Sequence, residues 1–208
     1  ASAPLFAALL ECFLSKMPVS LKWFIGFVFG AFIGFLSSVQ QVLQGVYGLG
    51  DIFPVYFAVL AISIGSASFS NAKLVMKFGM RSLALFATTV ITIVSLLALP
   101  LFMALGGVPP LWLWMGYLLL TLFCVGLLFG NLNAMAMEPF GHIAGIASAA
   151  VGAVSTFMAV ALGTLVAQQF NGTVLPVVVG FALLGGLALF CVWRACRRCP
   201  KAATVSSK

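Results

Sequence analysis

The chain has 208 residues, of which 63% are hydrophobic and 6% charged, with a mean hydropathy of +1.24. A soluble domain carries about 25% charged residues, so this chain cannot cover a water-facing surface and must use lipid as its solvent. The net charge of +7 does not argue for nucleic acid, which needs Lys and Arg on a common solvated face; here they flank long apolar runs, as in membrane proteins.

No basic residue precedes the first apolar stretch, so residues 1–15 do not read as a secretory signal. The chain does not begin with Met, which suggests a piece of a longer protein or a processed product. In PLFAALLECFLSKM, Leu5, Phe6, Leu9, Leu10, Phe13, Leu14 and Met17 fall on one helical face, with Glu11, Ser15 and Lys16 on the other. That segment is too short to span and reads as an interfacial amphipathic helix, within a cytoplasmic linker of residues 1–22.

A helix crossing the hydrocarbon needs about 20 residues at 1.5 Å rise each. Six segments qualify: Trp23–Gln44, Ile52–Asn71, Ser82–Ala104, Pro109–Asn133, Ile143–Gln168 and Val174–Trp193, none with a charged residue. Residues 23–194 are therefore predicted to form a six-helix transmembrane bundle, followed by a basic cytoplasmic tail of residues 195–208. GVYGLGD at 45–51, GGVPP at 106–110 and FNGTVLP at 170–176 carry turn chemistry between spans. Asn171-Gly172-Thr173 has the form of a glycosylation sequon but reads mainly as an Asn-Gly turn.

All ten Lys and Arg lie in residues 1–22, 72–81 and the tail from 194, whereas the opposite loops hold only Asp51. The positive-inside rule then puts both termini, and the loops near 77 and 138, in the cytoplasm.

In lipid, helices associate through close packing of small residues and interhelical hydrogen bonds. The first span carries Gly26, Gly30, Gly34, Ser37, Gln41 and Gln44 in register, with Gln40 adjacent; the fourth carries Trp114, Tyr117, Thr121, Cys124 and Asn131. Hydrocarbon penalises these amides and hydroxyls, so both faces are expected to meet a partner or line a water-accessible cavity. The second span has Ala58, Ala61, Gly65, Ser68 and Ala72, and the fifth Gly145, Ser148, Gly152, Ser155, Ala159 and Gly163, at steps of three and four. These smooth stripes serve packing within the unit or mating with a second one. The third and sixth spans show no such stripe and read as lipid-facing. Spans one and four, two and five, and three and six thus match in character, as two three-helix repeats would. The predicted fold is all-α.

GNLNAMAMEPFGHIAG, from Gly130 to Gly145, crowds together two Asn, Glu138 and the only His of the chain. One Glu and one His are too few ligands for a metal site, so this reads as a turn in cytoplasmic water. Of the five Cys, Cys124 and Cys191 fall inside apolar runs as small hydrophobes, while Cys12 lies in the linker. Cys196 and Cys199 have CxxC spacing without a second ligand pair, which leaves juxtamembrane lipidation as the alternative. No metal and no cofactor is expected.

Two stretches carry a family resemblance. GSASFSNAKLVMKFGMRSL (Gly65–Leu83) resembles the second copy of the loop motif of major facilitator superfamily transporters, an N-x-x-L-V-x-x-x-G-x-R pattern. GNLNAMAMEPFGHIAGIASAAVGAVST (Gly130–Thr156), followed by FNGTVLP, resembles the end of the tenth helix, the eleventh helix and the next turn in the Bcr/CflA (bicyclomycin-resistance) branch of drug:proton antiporters. The resemblance spans roughly residues 15 to 195 and implies the C-terminal half of such a transporter, helices seven to twelve, in the cell inner membrane. It further implies that helices seven and ten line the substrate cavity while eight and eleven face the other half. On this sequence the cavity residues are then Ser37, Gln40, Gln41, Gln44, Trp114, Tyr117, Thr121 and Asn131. The helix-packing residues are Gly65, Ser68, Gly145, Ser148, Gly152 and Ser155. The cytoplasmic gate loop comprises Asn71, Lys73, Lys77, Gly79 and Arg81, together with Glu138, expected to pair with Arg81 or Lys77.

The departures bear on function. None of Glu11, Asp51 and Glu138 lies inside a span, and a proton-coupled carrier needs a membrane-embedded ionisable group. The chain is therefore expected to be inactive without an N-terminal six-helix half, in the same or a separate chain. The alternatives are a self-complementing homodimer and a structural membrane subunit. An intramembrane serine protease would need a Ser and a His base at membrane depth, so no enzyme activity is expected. The other expected partners are the lipid bilayer and a small amphipathic drug-like substrate, with no nucleic acid.

Overall fold

The computed structural model describes residues 19–138 and 144–198. The expectations placed on the amphipathic segment before residue 19, on His142 and on Cys199 fall outside them. Six helices occupy the six expected spans: α1 (Val19–Gln40), α2 (Phe53–Phe78), α3 (Met80–Ala104), α4 (Leu111–Met137), α5 (Ala144–Ala167) and α6 (Leu175–Arg198). A π-helical turn, Gln41–Val46, extends α1, and a 3₁₀ turn, Gly50–Ile52, leads into α2. Among the described residues there is no strand. Leu21–Val46, Gly50–Phe78, Met80–Ala104 and Leu111–Met137 are each long and apolar enough to cross a membrane, and Val151–Ala167 and Leu175–Cys191 are shorter apolar helices. The protein is an all-helical membrane protein.

Two loops behave as their sequences dictate. Gly106 and Gly107 adopt φ of 72° and 80°, conformations that a side chain would strain, before Pro110 opens α4. Gly172 adopts φ 78° in the Asn-Gly turn, where the Thr173 hydroxyl donates to Asn171 Oδ1 at 2.7 Å. The two loops meet: Val174 N–H donates to the Gly107 carbonyl at 3.0 Å.

The connection expected at 72–81 is not a loop. α2 runs on to Phe78 and α3 starts at Met80, so the joint is the single residue Gly79, at φ 78°. Charge ended the apolar run at Asn71 without ending the helix. Lys73 and Lys77 keep helical backbone while laying their stems back onto it, with the ammonium groups over the Phe69 and Phe78 rings at 5.8 and 5.4 Å.

The packing follows one pattern twice. α1 packs against α5 and α6, α4 packs against α2 and α3, and α3 and α6 join the two sets. Moving three helices along the chain maps one set onto the other. Close backbone approaches mark the seams. A Cβ on Gly163 would meet Ile33 and the Gly34 nitrogen, and one on Gly126 would meet Ala67 and the Ile64 carbonyl. Across the middle, Phe129 of α4 meets the Phe29 and Phe32 rings of α1 edge-on.

The expectation that the third and sixth spans merely face lipid is corrected here. α3 buries Ala84, Ala87, Thr88, Ile91, Thr92, Ser95 and Ala98, and a Cβ on Gly185 of α6 would fall 2.7 Å from Thr92 Oγ1. Thr88 and Thr92 donate to the carbonyls of Ala84 and Thr88 one turn back, which satisfies their hydroxyls in an apolar setting. Only the far sides, with Phe86, Ile93, Leu97 and Leu187, are exposed.

Candidate functional site

The register of α1 that looked continuous in sequence is divided in two. Gly26, Gly30 and Gly34 seat Met158, Leu162 and Val166 of α5, so the glycine half is a packing seam. Beyond it Ser37, Gln40, Gln41 and Gln44 are exposed. Gln40 Nε2 donates to Gln44 Oε1 at 3.0 Å, and Gln44 Nε2 to the Gly50 carbonyl at 3.4 Å. The π-helical turn holds this group at the loop end of α1, with Tyr47 N–H reaching the Val42 carbonyl at 3.1 Å. Tyr47 in turn donates its hydroxyl to the Pro109 carbonyl at 2.7 Å. Burial pushes that phenol up to about 12.

The polar residues of α4 lie elsewhere. Trp114, Tyr117, Thr121 and Asn131 are all buried in the bundle, and the structure does not bring them onto one open face with the glutamines. Trp114 stacks on Tyr117 at 5.5 Å, and Phe102 of α3 meets both rings edge-on. The Tyr117 and Ser95 hydroxyls lie 2.9 Å apart. Asn131 Nδ2 donates to Asn71 Oδ1 of α2 and to the Leu127 carbonyl, both at 2.8 Å. A polar group within a membrane can be satisfied by a wet cavity or by an interhelical bond; Tyr117 and Asn131 take the second course, whereas among the described residues Trp114 Nε1 and Thr121 Oγ1 are buried without a hydrogen-bond partner. Sequence reasoning missed the other side of this seam. Thr88, Thr92 and Ser95 stand at steps of four and three, a hydroxyl stripe that would have marked the face of α3 turned inward.

At the opposite end of the bundle, Arg81 Nη2 and Glu138 Oε2 are 3.6 Å apart, both well exposed. The expected pairing of Glu138 is thus with Arg81. Arg81 stands in the first turn of α3, two residues beyond the Gly79 joint, and Glu138 caps α4. Asn71, Lys73 and Lys77 belong to α2 rather than to a loop, and the Asn71–Asn131 pair ties α2 to α4 a few turns from the ion pair.

The small-residue stripes have different fates. On α5, Ala159 and Gly163 are buried and Ser155 half-buried, while Ser148 and Gly152 are exposed. The surroundings of Gly145 lie outside the described side chains. On α2, Ala58, Ala61, Gly65, Ser68 and Ala72 are all exposed, and a Cβ on Gly65 would meet nothing among the described residues. α2 packs on α4 through the neighbouring row of Leu60, Ser63, Ala67 and Asn71, with the Ser63 hydroxyl on the Leu119 carbonyl at 2.7 Å.

Among the described residues no cluster of His, Cys, Asp and Glu has the makings of a metal site. No protein-family model and no solved structure matches the chain. A sequence relative does. The chain is 27% identical over 169 residues to an uncharacterized MFS-type transporter, YdgK, of Bacillus subtilis (strain 168). The match takes in 80% of this chain and 41% of that relative, so the chain spans about two-fifths of its length. The likeness supports a transporter role in general terms.

Proposed function

We propose that the chain is the C-terminal six-helix half of a major facilitator transporter of the Bcr/CflA type, exporting amphipathic drugs against protons across the cell inner membrane. The observation that carries this reading is the doubled packing pattern, α1 with α5 and α6, α4 with α2 and α3, joined to an uncovered small-residue stripe on α2. The stripe is a surface for an N-terminal half. The exposed Ser37, Gln40, Gln41 and Gln44 form this half's contribution to the cavity wall. Arg81 and Glu138 latch the cytoplasmic end when the transporter opens outward, with both termini cytoplasmic by the charge of the flanks. Asp51 and Glu138 stand at helix ends, so the proton-coupling acid comes from the other half. In the alternative reading the α2 stripe mates with a second copy and the homodimer is the working carrier.

Liposome reconstitution tests the reading. Uptake of a fluorescent amphipathic dye driven by a pH gradient is expected only when the chain is joined to, or mixed with, a second six-helix half bearing an intramembrane Asp or Glu. Uptake by the chain alone would replace the half-transporter with the homodimer, and no uptake in either case would reject both.

A further inference from the structure

α3 and α4 hold an open groove between them, near the start of α4, with a volume of about 360 Å³. Its floor is Ala98, Phe102 and Tyr117, all buried, and its rim is Leu97, Leu101, Trp112 and Leu120, all exposed. Small residues leave the space. Ala98 fills little of it from α3, and a Cβ on Gly116 of α4 would meet nothing among the described residues.

The lining offers a ligand almost nothing polar. The Tyr117 hydroxyl is already engaged by Ser95 at 2.9 Å, which leaves the indole nitrogen of Trp112, at the rim. A solute with charged or hydrogen-bonding groups along its length would give up water there without compensation, which is costly. A hydrocarbon chain gives up nothing.

The dimensions point the same way. Trp112 to Leu120 is eight residues and Val94 to Leu101 seven, so at 1.5 Å per residue the groove runs about 12 Å along the helices. One leaflet supplies about 15 Å of hydrocarbon, half of the roughly 30 Å core. The groove thus covers the depth of one leaflet. Trp112 stands in the first turn of α4, where an indole can keep its ring in hydrocarbon and its N–H at headgroup level. The opening also turns away from α1. Phe129, which meets Phe29 and Phe32 of α1, is 13 residues from Gly116, and so about 140° away around α4.

We propose that this groove seats one acyl chain of a phospholipid from the leaflet on the Trp112 side. The acyl chain lies between Leu97 and Gly116, with its ester oxygens level with the Trp112 indole N–H. The inference needs only that the protein lies in a bilayer, so it stands or falls apart from the transporter reading.

The full protein is placed in nanodiscs of phosphatidylcholine that contain a trace of the same lipid with a photoreactive diazirine midway along one acyl chain. After illumination the labelled positions are mapped. Passing lipid labels every exposed apolar face alike, and the α6 face with Leu183 and Leu187 measures that background. Labelling at Leu97, Leu101, Gly116 and Leu120 is expected to exceed the α6 level several-fold. Gly116→Leu, which fills the groove with a better helix former, is expected to remove the excess without lowering the unfolding midpoint. Leu101→Trp, which closes the groove from its exposed rim, is expected to do the same. An excess that is absent in the wild type, or that persists in either variant with its midpoint intact, overturns the proposal. So does loss of the excess on adding a fluorescent amphipathic dye at a small mole fraction of the lipid, which would give the groove to a solute.

Discussion

Gly163 of α5 lies so close to Gly34 of α1 that a methyl group on it would sit 2.8 Å from the Gly34 nitrogen. Backbone cannot yield as a side-chain tip can, so the two helices must separate. Gly163→Ala is expected to cost about 1–3 kcal/mol, the usual price of overpacking, read as a lower midpoint of thermal unfolding in detergent. A Cβ on Gly152, on the same sequence stripe, would meet nothing among the described residues. Gly152→Ala is expected to be neutral or stabilising by up to about 1 kcal/mol through helix propensity. Equal destabilisation of the two variants would contradict the packing of α5.

The ion pair at the other end is exposed, and such pairs contribute about 0–1 kcal/mol. Its effect is therefore expected in conformational balance rather than in stability, since states separated by a few kcal/mol respond to a contact of that size. In the assembled transporter, Glu138→Lys is expected to lower transport several-fold with the unfolding midpoint unchanged. Adding Arg81→Glu restores part of the loss, whereas adding Lys77→Glu does not, because Arg81 is the partner at 3.6 Å. A double variant no better than the single one would end the latch idea.

Thiol accessibility distinguishes the two polar faces. In a background without native cysteines, Gln41→Cys is expected to react rapidly with a water-soluble maleimide. Thr121→Cys is expected to stay as inert as Leu96→Cys, the first because it is sealed in the bundle and the second because lipid covers it. Fast labelling at Thr121 would reopen α4 as a cavity wall.

The Tyr47 hydrogen bond to Pro109 clips the loop after α1 to the start of α4. Tyr47→Phe is expected to cost about 1 kcal/mol. The native phenol holds its proton more tightly than an unfolded one, whose ordinary value is about 10. The stability difference between wild type and variant should therefore be constant below that pH and shrink as pH climbs through about 12. A difference that grows with alkali would mean that the phenolate is the favoured form.

The six helices were legible because hydrocarbon imposes a length and forbids charge, and both constraints are written into composition. Helix ends were not, since Lys73 and Lys77 show where lipid stops but not where helical backbone does. The ion pair could be anticipated from scarcity: Glu138 is the one acidic residue between spans on the side that carries Lys73, Lys77 and Arg81. The fate of Tyr117 and Asn131 could not. Whether a buried phenol meets water or Ser95, and whether an amide meets substrate or Asn71, depends on which way α4 is rolled. A sequence of nearly uniform hydrophobicity says little about that roll.

The joint at Gly79 has a consequence for how this chain can vary. α2 and α3 are held end to end by one residue whose φ of 78° suits glycine, so the turn has no spare length. An added residue there cannot bulge into solvent. It must either lengthen α2, rotating Asn71 by about 100° away from Asn131, or lengthen α3 and carry Arg81 out of reach of Glu138. Insertions near Gly79 should therefore be rejected, while the longer stretch between Tyr47 and Gly50 has room to absorb them.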